Sequence, residues 1–150
     1  MRVVIQRVQR CSVEVDGVTI GEIGKGLAIL LGVEDADTQE DIDWLCGKIS
    51  RLRIFDDENG VMNLDIQQAE GRAIVISQFT LFASTKKGNR PSYIRSAGEA
   101  VARPMYEKFL TTLSATLGAE VEHGEFGADM QVSLVNDGPV TICIDSKNKE

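Results

Sequence analysis

Leu27-Ala28-Ile29-Leu30-Leu31-Gly32-Val33 is apolar from end to end. A strand with one wet face alternates polar and apolar residues; a strand covered on both faces does not. The run falls far short of the roughly 20 residues a membrane-spanning helix needs, and Gly24-Lys25-Gly26 turns the chain just before it. It therefore reads as the central strand of a sheet with material packed on both sides. Upstream, Val3 to Val8 is β-branched and partly alternating, and Ser12-Val13-Glu14-Val15-Asp16 alternates strictly. Asp16-Gly17 then makes a tight turn into Val18 to Ile23, the signature of a hairpin. Downstream, Asp37-Thr38 offers a helix N-cap, and Ile42, Leu45, Cys46, Ile49 and Leu52 fall at helical spacing. That predicts an amphipathic helix over Gln39 to Arg53. Acids gather at its start and Lys48, Arg51 and Arg53 at its end, the order that suits the helix dipole.

Further along, Asp56-Asp57-Glu58-Asn59-Gly60 reads as a hairpin tip; its ligand ladder is too short for an EF-hand. Ala73 to Phe82 reads as one strand that turns polar halfway. Val101, Met105, Phe109, Leu113 and Leu117 mark a second helix that stops at Gly118, with Pro104 starting or kinking it. Met130 to Val135 and Val140 to Asp145 read as two closing strands separated by Asn136-Asp137-Gly138-Pro139. Strands, helix, strands, helix, strands describe an α/β domain, a layered sheet with helices on one side.

The 150 residues suit a single domain, 1–150, with no internal repeat or linker. The start, Met1-Arg2-Val3-Val4-Ile5-Gln6-Arg7, reads as a strand rather than a signal peptide. Cys11, Cys46 and Cys143 match no metal or redox spacing. Reduced core thiols in a cytoplasmic protein are the expectation. A single His123, in an acidic loop-like stretch, excludes a site with two His ligands within one chain, and Gly24-Lys25-Gly26 is too short for a phosphate loop. Neither metal nor cofactor is expected. The net charge of −7 argues against non-specific nucleic-acid binding by the whole surface. Charge is uneven, however. Glu34 to Asp43 holds six acids, whereas Thr85 to Pro104 holds Lys86, Lys87, Arg90, Arg95 and Arg103 against Glu99 alone.

Three segments carry candidate chemistry. In Ser77-Gln78-Phe79-Thr80 a buried strand runs into two hydroxyls, an amide and a flat apolar wall, where backbone amides released at a strand end could hold an oxyanion. The competing reading is a strand with polar residues on alternate positions. Asn136-Asp137-Gly138-Pro139-Val140-Thr141 places Gly-Pro between strands. It is either a plain hairpin loop or a turn whose carbonyls accept hydrogen bonds from an ammonium group. Lys86 to Tyr93 combines cations, glycine and an aromatic ring, a weak signal for a phosphate backbone.

Together these segments resemble the two signatures of the D-aminoacyl-tRNA deacylase family, also called D-tyrosyl-tRNA deacylase. The motifs stand about sixty residues apart in the right order. The Gly-Asn-Arg-Pro-Ser stretch, the N-terminal strand and the total length also fit, so the resemblance covers the whole chain. Ser77-Gln78 distinguishes it from the animal-type paralogue, which has Pro-Gln there. The resemblance implies a homodimer with a three-layer α/β/β fold, mixed and largely antiparallel sheets, two main helices, and active sites at the dimer interface. It implies hydrolysis of the ester between a D-amino acid, or glycine, and the terminal adenosine of tRNA. On this reading Ser77 and Gln78, with Phe79, hold the ester carbonyl, and Thr80 matches a hydroxyl once proposed as nucleophile. Gly138-Pro139 is a cis peptide that grips the substrate's amino group in the partner's pocket and excludes L side chains. Arg7 fixes that turn, and Phe126 and Met130 line the adenosine pocket. A nucleophilic threonine needs a base, and none lies near Thr80 in sequence. The preferred mechanism has the 2′-hydroxyl of the tRNA's own adenosine activate water. Two other classes compete. A non-enzymatic RNA-binding module is disfavoured by the charge and by only eight aromatic residues. A hydrolase of another ester, using Thr80, Ser77 or a cysteine, lacks the base.

Overall fold

The computed structural model describes residues 1–150. Its elements run β1 (Arg2–Val15), β2 (Val18–Ile23), β3 (Gly26–Gly32), α1 (Gln39–Ser50), β4 (Phe55–Asp56), β5 (Met62–Leu64), β6 (Arg72–Ser77), a 3-10 turn (Phe79–Phe82), α2 (Glu99–Leu117), β7 (Glu122–His123) and β8 (Gln131–Asp145). The all-apolar run is β3, and it is central. It pairs antiparallel with β1, Ile5 opposite Ile29, and parallel with β6, Leu31 opposite Ser77. The Asp16-Gly17 turn joins β1 to β2 with both residues in the left-handed region, φ 50° and 77°, so Val15 faces Val18.

One long strand belongs to two cores. Val3 and Ile5 of β1 pack with β3 residues and with Ile42, Leu45, Ile49, Tyr106, Phe109 and Leu113 from the two helices. Val8, Cys11 and Val13 pack instead with Ile23, Ala28, Ile74 and Ile76, a core without helical residues. The register against β8 shifts between Gln6 and Val8 and again between Val8 and Arg10, which moves the inward face from one side of the strand to the other. Gly21 of β2 shows what covers this second core. A Cβ there would stand 2.5 Å from the His123 carbonyl oxygen and 3.5 Å from Ile74 Cδ1, so β2 lies face-on against β6 and β7. The layers are thus helices, then β3–β6–β7, then β2 with the second half of β1. This is the three-layer mixed α/β arrangement expected, with one parallel pairing on each side of β6 and antiparallel pairing elsewhere. No helix is long and apolar enough to cross a membrane.

The structure corrects several local readings. The helix predicted to Arg53 ends at Ser50. Pro104 sits inside α2, within its second turn, and the buried face of that helix is Ala102, Tyr106, Phe109 and Leu113. Val101, read as part of the inward stripe, is exposed: residues four apart drift around a helix of about 3.6 residues per turn, so a stripe through Phe109 and Leu113 has left the core by Val101. Ala102 and Tyr106 take the inward positions, and the Tyr106 hydroxyl donates to the Val75 carbonyl at 2.9 Å. Glu122-His123 is a short strand parallel to β6 rather than a loop, with His123 exposed as expected. The strand predicted over Ala73 to Phe82 stops at Ser77. The two closing strands are one strand, β8, whose halves both pair with β1.

Candidate active site

β6 delivers Ser77 to the C-terminal edge of the parallel pair, the end of a sheet where ligands gather in α/β folds. The Gln78 amide makes the last rung, donating to the Leu31 carbonyl at 2.7 Å. The chain then winds into the 3-10 turn. Gly32 allows this: a Cβ there would meet Gln78 O and Leu81 Cβ at 3.1 Å and Phe82 Cδ2 at 3.2 Å. The turn is anchored from below. Arg2 Nη1 donates to the Leu81 carbonyl at 3.1 Å, and the guanidinium groups of Arg2 and Arg95 lie over the buried Phe82 ring, 4.7 and 5.4 Å from its centroid.

Above this strand end lies a cavity of about 530 Å³. Ser77, Gln78 and Phe79 form one wall, Tyr93 and Ala97 a second, Glu99, Ala102 and Tyr106 of α2 a third, and Phe126 to Met130 a fourth. Phe79 and Tyr93 meet edge to face with centroids 5.0 Å apart, and Phe79 is half exposed at the rim. Opposite them, the Phe126 ring lies 5.7 Å from Tyr106 and 4.8 Å from the Arg103 guanidinium, which is tied to Glu99 Oε1 at 2.5 Å. Burial pushes the Tyr106 phenol well above its usual range, so it stays a neutral donor to the Val75 carbonyl. Aromatic walls around a polar strand end suit a flat heterocycle joined to a small polar group.

Thr80 is not a wall of this cavity. The 3-10 turn carries it back toward Gln78, whose Nε2 donates to Thr80 Oγ1 at 2.5 Å. That partner is a carboxamide, which cannot take a proton. The cysteines offer no better nucleophile, since none lines the cavity. Cys143, expected in the core, is exposed because it lies on β8 away from both cores, while Cys11 and Cys46 are buried. Burial pushes the Cys11 thiol up to about 11 and the Cys46 thiol up to about 12.

Arg7, Gly138 and Pro139 meet at a second place, outside the lining of that cavity. Between Asn136, opposite Val8, and Thr141, opposite Gln6, β8 bulges outward through Asp137, Gly138, Pro139 and Val140. Proline has no N–H for the ladder, and Gly138 sits at φ 127°. The Gly138-Pro139 peptide is cis. Asn136 spans the bulge, its Oδ1 accepting from the Val140 amide at 3.0 Å and its Nδ2 donating to Thr141 Oγ1 at 3.1 Å. Beneath it, the buried Arg7 donates from Nε to the Asp137 carbonyl at 3.1 Å and from Nη1 to the Ile54 carbonyl at 2.7 Å. Asp56 and Asp137 complete the charge balance, at 3.2 and 3.4 Å. Gly138 and Pro139 themselves stay exposed.

So the structure gathers Ser77, Gln78, Phe79, Phe126 and Met130 around one cavity, puts Thr80 beside it, and builds Arg7, Gly138 and Pro139 into a separate projection. Sequence reading placed Tyr93 only in the basic stretch and missed Glu99, Ala102 and Tyr106. The signal was present: Glu99, Ala102 and Tyr106 share a helix face, and a small residue between two larger ones leaves room for a ligand.

The fold and site define a small α/β protein with a cavity at the end of a parallel strand pair. The family model D-Tyr-tRNA(Tyr) deacylase matches residues 4–145. A D-aminoacyl-tRNA deacylase of Bacteroides fragilis (strain YCH46) is 65% identical over 150 residues, covering 100% of both chains. Those of Flavobacterium johnsoniae and Dechloromonas aromatica are 61% and 59% identical, also with full coverage of both chains. The solved structure of a c-Myc DNA Unwinding Element Binding Protein superimposes with a TM-score of 0.90 at 38% identity, covering 97% of this chain and 98% of that one. A probable eukaryotic D-amino acid tRNA deacylase shares the fold with a TM-score of 0.81 at 17% identity, covering 95% of this chain and 97% of that one. The chain belongs to the D-Tyr-tRNA(Tyr) deacylase family, a family of hydrolytic enzymes.

Proposed function

We propose that this chain hydrolyses the ester joining a D-amino acid to the terminal adenosine of tRNA, releasing the free D-amino acid and tRNA. Its place of action is the cytoplasm, where charged tRNA is found. The observation that carries the reading is likeness along the whole chain, 65% over 150 residues, to a protein named for that reaction. A net charge of −7 gives little support to the alternative of a general DNA binder.

In the proposed mechanism the terminal adenine enters between Phe126 and Met130. The ester carbonyl meets Ser77, Gln78 and Phe79, with main-chain groups at the strand end supplying electrostatic stabilisation. Water attacks the carbonyl carbon, and the bond to the ribose 3′-oxygen breaks, that oxygen leaving with a proton. The ribose 2′-hydroxyl orients the water, so proximity replaces a protein base. Chirality is read by Gly138-Pro139 of a second copy. The turn stands outside its own chain's cavity, exposed on an edge strand, and a homodimer would bring it to the partner's. Its carbonyls would hold the substrate's ammonium group where an L side chain collides, while D side chains and glycine pass.

The test is deacylation of one tRNA charged in parallel with D-tyrosine, L-tyrosine and glycine, without added metal. Rapid loss of the D and glycyl esters with the L ester spared is expected; uncatalysed decay of all three would sink the proposal. Thr80→Val separates the mechanisms. Loss of a true nucleophile costs on the order of 10⁵-fold or more. The variant is expected to stay within about tenfold of the parent, because it loses a hydrogen bond and not the oxyanion site.

A further inference from the structure

From Gly71 to Gly98 the chain contains Arg72, Lys86, Lys87, Arg90 and Arg95 and no acid, although acids outnumber bases 23 to 16 overall. This stretch includes the strand end at Ser77, the 3-10 turn and Tyr93 at the cavity rim. Within it, residues 84–92 form a closed excursion. The Ser84 amide donates to the Ser92 carbonyl at 2.8 Å and the Ser92 amide to the Ser84 carbonyl at 2.9 Å. Gly88, at φ 86°, turns the chain between those ends. Arg95 pins the far side through Glu34 at 3.2 Å and its stacking on Phe82.

The cations differ in employment. Arg2, Arg7, Arg72, Arg95, Arg103 and Lys147 are held by carboxylates. Lys25, Lys48 and Lys149 lie over aromatic rings. Lys86, Lys87 and Arg90 are exposed and engage no side chain of the protein. Arg10, Arg51 and Lys108 are also unpaired but stand singly, so only this loop gathers free cations within five residues. A tethered loop that presents three free cations beside a cavity, on a protein otherwise acidic, is an anion-reading surface. The six acids from Glu34 to Asp43 cannot serve the same partner and would repel it.

We propose that the 84–92 loop binds backbone phosphates of the nucleic-acid strand whose end occupies the cavity, and that Lys86, Lys87 and Arg90 set affinity for the polynucleotide without entering the chemistry. This rests on the deacylase reading and names the part of the substrate that lies beyond the terminal nucleoside. Three phosphate contacts predict a modest salt dependence, a slope of about −2 to −3 in log kcat/KM against log salt.

The experiment compares the parent with K86Q/K87Q/R90Q on two substrates, D-tyrosyl-tRNA and D-tyrosyl-adenosine, across a salt series. For the tRNA, KM is expected to rise roughly tenfold or more at low salt, with kcat held and the salt slope flattened by about two units. For the adenosine ester, which has no phosphate backbone, variant and parent should match. Equal KM and equal salt slope on tRNA, with an active parent, would overturn the loop's role and leave the deacylase reading standing. Equal losses on both substrates would show that the loop shapes the cavity instead, and would also overturn it. A parent inactive on both D-esters would remove the deacylase reading, and this inference with it.

Discussion

Replacing Gly138 with alanine is expected to lower hydrolysis of the D-ester about a hundredfold while the protein stays folded. At φ 127° an L residue is strained whatever the surrounding space. Here the space is also taken. The new Cβ would sit 2.8 Å from Val140 Cγ2 and 3.1 Å from both Arg7 Nη2 and the Val140 amide nitrogen. Two of these neighbours are fixed by the bulge itself, so the turn must move. Misplacing a substrate-positioning group by about 1 Å costs on the order of 10²-fold in rate. Stability should fall by about 1–3 kcal/mol, not enough to unfold the chain, because the strain is confined to one residue in an exposed bulge. Single-turnover rates on D- and L-tyrosyl-tRNA, beside a calorimetric melting curve, measure both. Parent-like D-ester rates in a folded variant would show that the turn does not read the substrate.

Arg7→Ala should have the largest effect on stability among the site residues, about 2–4 kcal/mol. The guanidinium is buried, 7% exposed, and it satisfies the Ile54 and Asp137 carbonyls at once. The carboxylates of Asp56 and Asp137 contribute little by themselves, since their side chains are 51% and 43% exposed and can turn to water. The cost therefore lies in the stranded carbonyl and the lost packing. For a chain of this size the melting temperature should fall by roughly 5–15 °C. Arg7→Lys should recover only part of this, because a single ammonium cannot direct two bonds as a planar fork does. Activity measured well below the melting point should still drop, with discrimination against the L-ester weakened, as the support under Gly138-Pro139 is gone. A variant with lowered stability and unaltered D-to-L selectivity would assign Arg7 to the fold alone.

Much of this fold was legible because its signals are local. The doubly apolar β3, the Asp16-Gly17 hairpin and the capped α1 each announce themselves within a dozen residues. The errors share one cause, partners distant in sequence. Nothing near Ser77 says that β3 ends one residue past its partner Leu31, at Gly32, or that the 3-10 turn must begin at Phe79. Nothing near Tyr106 says that Val75 offers its hydroxyl a carbonyl, so sequence reading passes over Tyr106 as an inward residue beside Ala102. The Gly-Pro segment looks like a hairpin tip because its neighbours are strand-like; only the shared partner β1 makes it a bulge. The first motif led to one wall of the cavity and the second to the separate Gly-Pro projection, while the third wall, on α2, depends on which face that helix turns inward.

The placement of the Gly-Pro projection in mid-strand has a mechanical consequence. A segment at the tip of a hairpin is a cantilever, tethered at one end and free to bend. This one is a beam clamped at both ends, by ladder bonds through Thr141 on one side and Asn136 on the other, with Arg7 as a prop beneath its centre. A filter that works by refusing entry can discriminate no better than it resists deflection. Mirror-image side chains differ only in where a few atoms lie, so a yielding stop would admit both. Under the proposed mechanism, fidelity is set by rigidity rather than by affinity.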